Sequence, residues 1–144
     1  MIGNIDLDLL EKTYQNASIG ITAIEEVLDK AKNKDLINDL NNQLKDYRQI
    51  ADSTREQLTT NGAVVKEKPL YDRAMMKGNI KMNIWMEPTD SRIAEMVMKG
   101  STMGVTQMTK LLHDKTDADG ASVQIVKDFI KKEENNIEVM KKYL

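Results

Sequence analysis

The chain contains no cysteine. Disulfides, thiol catalysis and thiolate metal sites are therefore excluded, and the redox compartment is left open. It contains one histidine, His113. A Ser/His/Asp triad built on a single histidine beside a turn has no support in this sequence. Neither Gly-x-Gly-x-x-Gly nor a phosphate-cradling Gly-x-x-x-x-Gly-Lys-Ser/Thr occurs. Prolines number two, glycines seven and aromatics only 4% of 144 residues, a composition that favours long helices over many short strands. Trp85 is the only tryptophan, and one ring makes no stacking platform for nucleic acid. A formal net charge of −2 gives no global pull toward nucleic acid or anionic lipid. No apolar run approaches a membrane span. The opening Met1-Ile2-Gly3-Asn4-Ile5-Asp6 lacks the basic and apolar regions of a signal peptide. The expectation is a cytoplasmic protein without cofactor.

What is present is an internal repeat. Residues 18–28 match residues 102–112, with Gly20 on Gly104, Thr22 on Thr106, Ile24 on Met108 and Leu28 on Leu112. Further on, Leu44-Lys45-Asp46-Tyr47 falls on Val126-Lys127-Asp128-Phe129. A unit used twice is a supersecondary unit, here a helical hairpin.

The first hairpin spans residues 6–60. Helix A, about Asp6 to Lys32, carries Leu7, Leu10, Tyr14, Ala17, Ile21, Ile24, Leu28 and Ala31 at alternating spacings of three and four. Asp35 is the expected cap of helix B, about Leu36 to Thr60. Its stripe is Ile37, Leu40, Leu44, Tyr47, Ala51, Thr54 and Leu58. Asn61-Gly62 ends it with turn chemistry. Residues 61–90 are too long for a simple bundle turn, and a short helix is expected there from about Leu70 to Met86, stopped by Pro88. Thr89 or Asp90 can cap helix C, about Ser91 to His113, with Ile93, Met96, Gly100, Met103, Gly104, Gln107 and Leu111 inward. Helix D, about Ala121 to Tyr143, turns Val126, Ile130, Glu133, Ile137, Met140 and Leu144 inward. The fold expected is a single all-α domain, a four-helix bundle of two duplicated hairpins, 6–60 and 91–144. A long crossover that makes helices B and C parallel is preferred over a simple up-down-up-down order.

That arrangement resembles the ferritin-like superfamily. The stretches Ala94-Glu95-Met96, Gly100-Ser101-Thr102-Met103-Gly104 and Glu133-Glu134-Asn135-Asn136-Ile137 resemble a group of small uncharacterised bacterial proteins, which brings no activity with it. The superfamily's di-iron members use a Glu on each of two helices and a Glu-x-x-His on each of the other two. One histidine cannot supply two such motifs. Where the glutamates would sit, the repeat has Ser18/Thr102, Gly20/Gly104 and Thr22/Thr106, small residues expected to let two backbones approach. The nearest remnant is Glu133-x-x-Asn136, matched on helix B by Ala51 and Thr54.

Several features could still carry function. Glu133 lies on the projected inner stripe, so it is solvated by a rotation of the helix, held in a hydrogen-bond network with Tyr14, Tyr47 or Gln107, or part of a site. Eight of ten methionines lie between Met75 and Met108; they fill an irregular core, present an adaptable surface, or offer thioethers to Cu(I). Arg73, Lys77 and Lys81 form a short basic stripe beside Trp85 and Met86, which reads as a solvated face or as a docking surface. Asp117-x-Asp119-Gly120 fails as a calcium loop, because Lys115 and Val126 would take its first and twelfth positions. Thr116 with Asp119 reads instead as a cap for helix D.

The resulting expectation is a non-enzymatic bundle that acts as a homo-oligomer, a dimer above all, or through a protein partner at Arg73, Lys77, Lys81, Trp85 and Met86. The alternative is a divergent iron- or copper-binding protein using Glu133, Glu134, Glu95 or Asp46, or the methionine cluster.

Overall fold

The computed structural model describes residues 3–65, 89–115 and 120–144. It contains four long helices: α1 (Asn4–Leu28), α2 (Lys34–Thr60), α3 (Asp90–Asp114) and α4 (Gly120–Met140). A 3-10 turn, Lys141–Tyr143, closes the chain. No strand occurs among the described residues. The all-α four-helix bundle is as expected. The short helix expected over 70–86, its residues Arg73, Lys77, Lys81, Trp85 and Met86, and the capping pair Thr116 and Asp119 lie outside the described residues.

Local chemistry sets the helix ends. Asn33, not Asp35, caps α2: its side-chain oxygen accepts from the Asp35 and Leu36 amides at 2.8 and 3.2 Å. Asparagine in an extended backbone leaves its oxygen free to meet the first orphan amides, so the cap falls two residues earlier than expected. At the other end, the Gly62 amide donates to Thr59 and the Ala63 amide to Leu58, at 3.0 and 2.9 Å. This is the Schellman pattern, and it needs the positive φ of 76° that Gly62 adopts. Thr89 caps α3 by accepting from the Arg92 amide at 3.1 Å. Asp90 reaches out of the same first turn and accepts from the Lys32 and Asn33 amides at 2.8 and 3.0 Å.

Those Asp90 bonds settle the topology. The start of α3 sits against the α1–α2 turn. At the far end of the bundle, Lys115 after α3 pairs with Asp8 at the start of α1, 3.4 Å away. Lys142 and Tyr143, after α4, both bind Asp39 near the start of α2. Helices α1 and α4 therefore run one way and α2 and α3 the other. A 27-residue helix is about 40 Å long, so the chain leaves α2 at one end of the bundle and re-enters at α3 a bundle length away. This is the single-crossover order, with α2 and α3 parallel.

The core follows the expected stripes closely on α1 and α2. Leu10, Tyr14, Ala17 and Ile24 are buried, with Leu7, Ile21, Leu28 and Ala31 packed at the margin. On α2 the stripe starts one residue early, at Leu36, which lies one turn before Leu40 on the same face; Ile37 is marginal. Helix α3 departs most. Its inner face is Ile93, Ala94, Val97, Ser101, Gly104 and Met108. Gly100, Met103 and Gln107 face outward, and Met103 is 60% exposed. On α4, Phe129 and Asn136 turn fully inward, while Ile130 and Ile137 sit at the margin.

Candidate functional site

Midway along the bundle, four helices aim polar or small residues at one place. Glu133 on α4 is buried, only 3% exposed. Its Oε1 accepts a short hydrogen bond from the Tyr47 hydroxyl on α2. The same Oε1 accepts from Asn136 Nδ2, one helical turn on, at 3.2 Å. Asn136 Nδ2 also lies 3.4 Å from the Tyr47 oxygen, which closes a triangle. Tyr47 in turn packs its ring against Phe129, centroids 6.5 Å apart.

The repeated glycines make this arrangement possible, in a way different from the close backbone approach expected of them. A Cβ on Gly20 would stand 2.8 Å from three ring carbons of Tyr47. A Cβ on Gly104 would stand 2.8 Å from Glu133 Oε2. Each glycine thus vacates the volume that a polar side chain of the second helix in its own hairpin occupies. Gly100 has no such role; a Cβ there meets nothing within 4 Å.

Neither hydrogen bond to Glu133 reaches Oε2, which lies over Gly104 beside a cavity of about 80 Å³ between α1 and α3. Its walls are Ile19, Ala23, Ile24, Val27, Met96 and Val97; Asn16, Tyr47, Ser101 and Glu133 supply polar groups. Ser101 Oγ is buried and has no hydrogen-bond partner of good geometry. Among the described lining residues there is no lysine, arginine or histidine. Burial in this surrounding raises the Glu133 carboxyl from 4.5 to about 7, against the opposing pull of Tyr47, Asn136 and nearby Ser101, which favour the ionised form. Burial and then the adjacent Glu133 charge push the Tyr47 phenol far above its ordinary value, so it remains a hydrogen-bond donor.

The other expected ligands do not converge on this place. Glu134 is exposed. Glu95 binds Arg92 and Lys99 on the outer face of α3, at 3.0 and 3.1 Å, and these cations hold its carboxyl below the usual range. Asp46 faces Lys132 at 3.8 Å in a groove between α2 and α4. No group of three acidic, histidine or cysteine side chains that could hold a metal occurs among the described residues. Of the three expected partners of Glu133, Tyr47 is the one that binds it. Tyr14 accepts instead from Arg55 at 2.6 Å, and Gln107 is exposed. The described methionines differ in surroundings: Met108 and Met140 are buried, Met96 and Met98 marginal, and Met103 exposed, while Met75, Met76, Met82 and Met86 are outside the described residues. Asn136, seen in the sequence only as part of the Glu133-x-x-Asn136 remnant, was not expected among the partners of Glu133. The signal for it was spacing: Val126, Phe129, Glu133, Asn136 and Met140 form an unbroken stripe once Phe129 replaces Ile130.

The fold and site define a four-helix bundle with one long crossover and a single hydrogen-bonded carboxyl at its centre. The crystal structure of a DUF305 fragment from Deinococcus radiodurans shares this fold. Its TM-score is 0.76 at 9% identity, over 98% of this chain and 95% of that one. Neither family models nor curated protein sequences match the chain. The likeness establishes an all-helical fold. No described helix is long and apolar enough to cross a membrane.

Proposed function

We propose that the protein is a non-enzymatic binding bundle whose centre is a protonatable carboxyl node in place of a metal site. The observation that carries this reading is the committed geometry of Glu133. One of its oxygens is occupied by Tyr47 and Asn136, and among the described residues that line its cavity there is no second carboxylate. Iron and other hard cations need several oxygen ligands about one centre, and a lone carboxylate with a phenol and an amide does not supply them. Nor does the cluster have the nucleophile, base and orienting group of a hydrolytic centre. A relationship to ferritin-like proteins is supported by the crossover topology and the duplicated hairpins.

Among the described residues a small-molecule site has more support than a protein-binding face. The large apolar side chains exposed among the described residues are Val64, Met103 and Leu144. They lie after α2, on the middle of α3 and beyond α4, and so form no contiguous patch. The test is elemental analysis of the purified protein before and after anaerobic incubation with Fe(II), Mn(II) and Cu(I). This reading expects no stoichiometric metal. One retained equivalent of any of the three, lost in Glu133→Gln, would contradict it.

A further inference from the structure

We propose that the cavity between α1 and α3 binds a small primary alkylammonium, with its head on Glu133 and Ser101 and its chain along Ile19, Ile24 and Val97. The inference rests on the reading of the centre as a metal-free carboxyl node, and it names the ligand class. Three independent features point to it.

The first is an unmet charge. The Glu133 carboxyl is nearly inaccessible from outside, yet no cationic side chain is among the described residues that line its cavity. A buried carboxylate without a cation is costly, and a ligand that brings the cation relieves that cost. The second is a loosely held hydroxyl. Ser101 is 2% exposed and lines the same cavity; its Oγ lies near enough to Glu133 and Tyr47 to favour the ionised form of each, yet makes no hydrogen bond of good geometry. A hydroxyl lone pair and a carboxylate oxygen together suit a head with several donors, which an ammonium has and an alcohol lacks. The third is size and wall chemistry. A water-sized group needs about 10–15 Å³ of such space, so about five to eight non-hydrogen atoms fit the cavity of about 80 Å³. The walls are aliphatic apart from the polar groups already named. That combination takes a short chain with one charged end. The carboxylate repels anions.

Binding exchanges a proton for the ligand. Below neutral pH the Glu133 proton leaves to solvent as the ammonium takes its place. Tyr47 from α2, Asn136 from α4 and Ser101 and Gly104 from α3 surround Glu133, and Asn16 and Gly20 from α1 line the same cavity; only Tyr47 among them titrates, and it does so far above neutrality. The pH dependence of binding between 5.5 and 8 therefore belongs to Glu133. With its midpoint near 7, affinity for a permanently charged amine falls about thirtyfold from pH 8 to pH 5.5.

The experiment is isothermal calorimetry of the full chain with n-butylammonium, n-butanol and butyrate at pH 5.5 and 8, in buffers of different ionisation heat. Butylammonium is expected to bind at about millimolar strength at pH 8. It should release a proton at pH 5.5, exceed butanol at least tenfold and leave butyrate unbound. Glu133→Gln should remove the preference for the amine. Ala23→Leu, which adds bulk at an apolar lining residue of the cavity and leaves Glu133 itself unchanged, should abolish binding and leave the carboxyl titration in place. Nα-acetyl-lysine amide carries the same head and chain on a peptide unit; if it binds, the site takes lysine side chains by the same chemistry. Equal binding of butanol and butylammonium, or no binding by any probe, overturns the ammonium site. Either result can occur with the protein still metal-free, so this failure is distinct from failure of the reading beneath it.

Discussion

Substituting Glu133 by glutamine should change how stability depends on pH more than it changes stability itself. The carboxyl titrates at 4.5 in the unfolded chain and at about 7 in the bundle, because burial disfavours its charge. Its folded value is the higher one, so the native state binds the proton more tightly. The stabilising preference is complete below about pH 4.5 and declines as pH rises toward and through 7. By linkage the whole loss amounts to about 3 kcal/mol between pH 4.5 and pH 8. With a urea m-value of about 2 kcal/mol/M for a chain of this size, the midpoint should fall roughly 1.5 M over that range. Glutamine has the shape of the protonated acid. Its oxygen can accept from Tyr47 and Asn136, and its amide can donate toward Ser101. Glu133→Gln should therefore unfold near the wild-type midpoint at pH 5, and above it at pH 8. Urea titrations of both proteins at half-unit pH steps give the difference directly, and background titrations common to both cancel. A wild-type curve parallel to the variant's, or one that rises from pH 5 to 8, would refute the placement of Glu133 in a dry, cation-free site.

Three further outcomes follow from the packing. Gly20→Ala drives a methyl into the Tyr47 ring and should cost about 1–3 kcal/mol, whereas Gly100→Ala, with open space and a helical backbone, should gain roughly 0.5–1 kcal/mol; chemical denaturation of the pair separates the two glycine roles. Asp90→Ala removes both bonds to the Lys32 and Asn33 amides and should lower stability by about 1–2 kcal/mol, with faster hydrogen exchange confined to the α1–α2 turn. Gln43 is buried with both amide atoms unpartnered, so Gln43→Met should raise the thermal midpoint, by about 1–3 kcal/mol in free energy; a lower midpoint would show that the amide does have a partner.

The two halves of the bundle differed in how legible they were. On α1 and α2 the inner face is marked by large apolar residues between polar ones, so period alone located Leu10, Tyr14, Ile24, Leu40, Leu44 and Tyr47. On α3 the inner face includes Ala94, Ser101 and Gly104, while methionines occupy several faces; hydrophobicity there points to Met103, which is exposed. The inner residues of α3 are small because Glu133 and the cavity occupy the space in front of them, a fact that belongs to α4 and cannot be seen along α3 itself. The site was half visible. Glu133 and Tyr47 stood on their projected stripes, and the glycine repeat marked the level. Asn136 was harder to see, because its place on the inner stripe shows only when Phe129 and not Ile130 is taken as the inward residue. Glu95 and Asp46 looked available as ligands only because their surface partners, Arg92 with Lys99 and Lys132, are assigned by three-dimensional proximity.

The account turns on one carboxyl group. A carbon-detected NMR titration of the Glu133 side-chain carboxyl in the metal-free protein, assigned by its disappearance in Glu133→Gln, measures that group directly. The structure predicts a midpoint near 7, moved upward in Tyr47→Phe by loss of the donated hydrogen bond. A midpoint near 4.5 that ignores Tyr47→Phe would place Glu133 in water and contradict the central cluster, and with it the cavity site.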